Sequence, residues 1–131
     1  MTLCKLSALV LILIACTSGA HAKDPCDGTD HLSEVQCTAV DVRRLNVELD
    51  EVHEKALESR PEQDDWESRK TRDQLRKSQA AWLQYKEENC VLVGGLEGGS
   101  NLWVSDFAQQ CDKQEIENRI DFLKRVANGE F

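Results

Sequence analysis

Apolar residues recur along most of this chain at spacings of three and four, separated by broad polar faces, and that period belongs to helices rather than strands. Val42, Leu45, Leu49, Val52 and Ala56 make one such stripe. It predicts a helix that turns one face to a partner. Ser33-Glu34-Val35-Gln36 has the form of a capping box and predicts the start of that helix at Ser33. Its end is expected near Ser59, because Arg60 precedes Pro61 and avoids helical geometry. A second helix is expected from Asp64 or Asp65 to about Cys90, with acidic residues at the positive end of its dipole. Leu75, Gln79, Trp82 and Lys86 share its inner side, so a buried glutamine there needs hydrogen-bond partners. Val91-Leu92-Val93 then leads into a glycine loop made by Gly94, Gly95, Gly98 and Gly99.

The last segment starts at Ser100 or Asn101, both good caps. Trp103, Phe107 and Cys111 share one face, and Ile116, Ile120, Leu123 and Ala127 share another. The five-residue step between Cys111 and Ile116 predicts two helices, or one bent helix, with a break near Asp112. Asn128-Gly129 is the expected stop. No run alternates long enough to predict a strand. The fold class is therefore all-α, a three- to four-helix antiparallel bundle.

The chain's start changes the picture. Residues 1–22 read as an export signal: Lys5 is the charged end, Leu6 to Ala15 the short apolar run, and Ala20-His21-Ala22 the cleavage site. Leu13-Ile14-Ala15-Cys16 also fits a lipobox, with Cys16 lipidated. Cleavage after Ala22 is favoured, since polar Lys23-Asp24-Pro25 follows at once, and it makes residues 23–131 one domain. The protein is expected to be periplasmic or secreted, and attached to a membrane only if Cys16 is lipidated. Either processing route leaves Cys26, Cys37, Cys90 and Cys111, an even set in an oxidising compartment, which predicts two disulfides.

Loss of residues 1–22 removes one Lys and no acid, leaving 15 basic against 24 acidic residues, a net of −9. That balance argues against nucleic acid, which needs basic patches, and favours cationic partners. Chemistry finds little foothold. His53-Glu54 begins an H-E-x-x-H pattern, but Leu57 stands where the second histidine belongs, and His31 and His53 are too few for a catalytic zinc site. Gly98-Gly99-Ser100 lacks the lysine of a phosphate loop. The many Asp and Glu pairs read as solvated helix faces. No catalytic residue, metal or cofactor is expected, and the protein is not read as an enzyme. Trp82 and Trp103 read as core, whereas Trp66, between Asp65 and Glu67, is the aromatic better placed for a binding surface.

The order of these residues resembles the LprI-like lysozyme inhibitor family of small exported bacterial domains. The resemblance runs from Cys26 to Leu123 and is carried by Leu49-Asp50-Glu51-Val52-His53, then Gln79-x-x-Trp82-x-x-Tyr85-Lys86-x-x-x-Cys90, then Gly98-Gly99-Ser100, Cys111 and Arg119. Lys86 stands where the family usually has Arg, His53 where it often has Tyr, and Ile116 where it has Thr. The resemblance implies a helical domain that binds a basic lysozyme and blocks it; the alternative is a cell-envelope interaction or stress module with another ligand. Of the three possible disulfide pairings, Cys26–Cys37 with Cys90–Cys111 is expected, tying the leading segment to the first helix and the second helix to the last. Contacts with a partner are expected on the loop from Val91 to Asn101.

Overall fold

The computed structural model describes residues 24–60 and 66–131, with the side chains of Trp66 and Ser68 left out. The export signal, Cys16 and the Trp66 side chain lie outside the described residues. A 3-10 turn at Pro25–Asp27 leads into three long helices: α1 His31–Glu58, α2 Trp66–Glu97 and α3 Asn101–Asn128. Among the described residues there is no strand, and no helix is long and apolar enough to cross a membrane.

Helix α3 is the spine. Along α1 its pairings advance in step: Asp106 with His31, Lys113 with Asp41 at 2.6 Å, Lys124 with Glu48 at 2.9 Å. α1 and α3 are therefore parallel. Against α2 they run in reverse: Cys111 with Cys90, Asp112 with Lys86, Arg119 with Gln79. α2 is antiparallel to α3, and both disulfides, Cys26–Cys37 and Cys90–Cys111, fall at one end of the bundle.

The two interfaces differ in kind. Leu45, Leu49, Val52, Ala56 and Leu57 of α1 meet Ile116, Ile120, Leu123 and Val126 of α3 in one apolar core, with Leu49, Ile116 and Leu123 almost fully enclosed. α2 adds Leu75 to that core and packs the partly buried Trp82 against it, as its spacing suggested. Elsewhere it meets α3 through a polar bond, an ion pair and a crosslink, so covalent closure supports the seam where apolar burial is thin.

Three sequence expectations are corrected. The cap of α1 is Asp30, not Ser33: its carboxylate accepts from the Ser33 N–H at 3.0 Å and from the Ser33 hydroxyl at 2.8 Å. The box is displaced one turn upstream because an aspartate stands there to take the free amide. α2 does not end at Cys90 but continues through Gly94 and Gly95 to Glu97. α3 has no break near Asp112; it is one helix whose Cys111 side serves α2 while Ile116 onward serves the core. The ends expected at Ser59, Ser100 and Gly129 match the structure.

Candidate functional site: a crosslinked acidic tip

Because α1 and α3 are parallel and α2 opposes them, the start of α1, the end of α2 and the start of α3 meet at the crosslinked end. Gly94 makes that meeting close. A Cβ there would stand 2.6 Å from the Val104 carbonyl and 3.1 Å from the Ala108 Cβ. Around it, α2 projects a ridge of aliphatic side chains: Val91 is 68 % exposed, Leu92 57 % and Leu96 76 %. Gly95 lies between them with open space where a Cβ would be. Gly98 and Gly99, at φ of 70° and 100°, then reverse the chain in a left-handed turn that side chains resist. Ser100 starts α3 without a side-chain cap.

Trp103 is not core, as its apolar spacing suggested, but 46 % exposed. Its indole stacks on the His31 ring, with centroids 3.8 Å apart, and lies 5.9 Å from Phe107. His31 Nε2 meets Asp106 Oδ2 at 2.8 Å, and Gln110 donates to the other carboxylate oxygen at 2.9 Å. Burial pushes the Asp106 carboxyl up, but the bonds from His31 and Gln110 outweigh it and hold it below its usual value. The exposed indole is thus fixed from behind by a satisfied polar group.

Charge is sorted along the bundle. Residues 24–42 and 87–112, which build the crosslinked end, contain no Lys or Arg and ten acidic residues. Glu87, Glu88 and Glu97 are exposed beside the aliphatic ridge. Tertiary packing turns a modest overall balance into one strongly acidic end.

Lower on the same face, α2 and α3 share a second cluster. Gln79 is buried and its Oε1 accepts from Arg119 Nε at 2.8 Å; the Ser78 hydroxyl accepts from Nη2 at 3.1 Å. The Arg119 guanidinium lies over the Trp82 ring at 5.6 Å and over Phe122 at 4.8 Å. Burial lowers its pKa. Lys86 Nζ meets Asp112 at 2.8 Å two turns further along from the Gln79–Arg119 bond. The cluster holds two helices in register. Among the described residues no group of His, Cys, Asp or Glu is arranged to hold a metal ion.

Residues 26–123 match the family described as lysozyme inhibitor LprI. The chain belongs to this family. No curated protein and no solved structure matches it.

The residues that carry the LprI resemblance divide between these places. Leu49 is core; Gln79, Trp82 and Arg119 come together across 40 positions of sequence; Lys86 pairs beside them. Gly98, Gly99 and Ser100 turn the tip, and Tyr85 stands 53 % exposed, apart from the cluster. Ile116, where the LprI family has Thr, is fully enclosed, and His53 faces the interior with its Nε2 buried and unpartnered. Sequence reasoning missed the His31–Asp106–Trp103 stack, the close approach at Gly94 and the acidic end. The first two join residues whose separation hides the contact. The third was legible as two long stretches free of Lys and Arg.

Proposed function

We propose that this LprI-family protein is exported through residues 1–22 and binds a basic lysozyme with its crosslinked acidic tip. Blocking is steric: the tip occludes the enzyme's access to the cell wall and performs no chemistry of its own. Family membership supplies the target class. The observation that carries the surface is the exposed ridge of Val91, Leu92 and Leu96 beside Trp103, in a region with acids and no Lys or Arg. Exposed aliphatics rimmed by like charge suit a partner that is cationic with an apolar centre. Two disulfides restrain the same end, so little order has to be gained on binding.

Lysis of cell walls by a basic lysozyme, with and without disulfide-intact protein at micromolar concentration, tests the reading. Inhibition is expected at low salt and should weaken as salt rises, since screening shortens the reach of surface charge to about 10 Å at 0.1 M. The double change Leu92→Ser and Leu96→Ser should abolish most of it while leaving helicity intact. If several basic lysozymes stay fully active at low salt, the inhibitor reading falls and an envelope module with another cationic ligand replaces it. If the wild type inhibits and the double variant inhibits equally, the binding surface lies elsewhere.

A further inference from the structure

The opposite end of the bundle carries a groove of about 720 Å³ between the start of α2 and the end of α3. Its apolar lining is Leu75, Phe122, Val126 and Phe131, the last of them exposed. Its rim is basic, with Arg60, Lys70 and Lys77 against Asp73 as the one acid among the described lining residues. Asp73 is already answered by Arg76 at 3.0 Å, and Lys70 lies 3.9 Å from Glu67. Arg60 and Lys77 have no carboxylate partner within 4 Å among the described residues. In a chain of net −8 this concentration of positive charge around apolar surface runs against the whole.

We propose that this groove binds a single-chain amphiphile with an anionic head, of the class of a fatty-acid carboxylate. The head lies against Arg60 and Lys77, whose positive charges a carboxylate answers. The acyl chain lies along Leu75, Phe122, Val126 and Phe131. The volume falls within the range of small-molecule sites, roughly 300–1,000 Å³. The Ser78 hydroxyl on the groove wall is engaged from behind by Arg119, so that wall is held in place when a ligand enters. This site is remote from the tip and does not depend on lysozyme binding.

Calorimetric titration of the disulfide-intact protein with dodecanoate, below its micelle-forming concentration, tests the proposal. One dodecanoate should bind per chain in the micromolar range. Dodecanol, with the same tail and no charge, should bind about tenfold more weakly, the scale of one lost charge-assisted contact. Lys77→Glu should weaken dodecanoate about fivefold by replacing an attraction with a repulsion. Arg60→Gln should weaken it as well, whereas Leu96→Ser at the tip should not change it. The proposal is overturned if no dodecanoate binds, if dodecanol binds as tightly, if neither Lys77→Glu nor Arg60→Gln weakens it, or if many chains adsorb without saturation.

Discussion

Two neighbouring glycines in α2 should respond to the same change with opposite sign. Both lie inside the helix, where Gly is less favourable than Ala by about 0.8–1 kcal/mol. At Gly95 nothing lies within 4 Å of an added Cβ. Gly95→Ala should therefore stabilise the protein by nearly that full propensity, about 0.5–1 kcal/mol. At Gly94 the added carbon meets the Val104 carbonyl at 2.6 Å and the Ala108 Cβ at 3.1 Å. The first of these is backbone of α3, and the Cys90–Cys111 crosslink one turn away prevents the helices from separating freely. Overpacking of that kind costs about 1–3 kcal/mol, which exceeds the propensity gain. Gly94→Ala should be destabilising by up to about 2 kcal/mol, and the gap between the variants should reach roughly 2–3 kcal/mol. Thermal unfolding without reductant reads it directly, as about 4–8 °C per kcal/mol for a domain near 100 residues. A Gly94→Ala protein as stable as Gly95→Ala would refute the close approach of α2 to α3, and with it the geometry of the tip.

Removing the acceptor for Arg119 is the second perturbation: Gln79→Leu should cost about 1–3 kcal/mol by leaving a buried charged donor unsatisfied, and adding Arg119→Met should recover much of the loss. Denaturant unfolding of both variants checks this, and a stable Gln79→Leu single variant would show that the bond carries no weight. His53 supplies a pH dependence. Desolvation lowers its folded-state pKa below the ordinary 6.5, with the Arg119 and Arg76 charges adding to the effect and Glu54 and Asp50 opposing it. The unfolded chain takes up a proton near pH 6.5 that the folded one declines, so this stability is present above 6.5 and is lost as pH falls below it. The melting temperature should drop between pH 7 and pH 5 more steeply in wild type than in His53→Leu; parallel curves would place His53 in solvent.

Local signals in the sequence left three helices or four open, but determined the all-α class, the helix boundaries at Ser59, Ser100 and Gly129, and the apolar stripes of α1 and α3. Each of these rests on neighbours in sequence: a proline two residues beyond a stop, a glycine after a last turn, apolar residues three and four apart. The disulfide pairing was legible too, because each cysteine pair flanks one helix boundary. What the sequence misjudged is where a local rule was overruled from a distance. Gly94 and Gly95 read as loop, yet α2 runs through them, since a glycine is what lets α3 come within contact of its backbone. Trp103 read as core, yet stands in solvent, because His31 from another helix offers it a ring to stack on. The five-residue step at Cys111 read as a break, though one helix can face α2 first and α1 afterwards. Charge sorting belongs to the same class. A net acidic composition says nothing of position, and only the parallel course of α1 and α3 with α2 reversed gathers the acids at the crosslinked tip and leaves a basic groove at the other end.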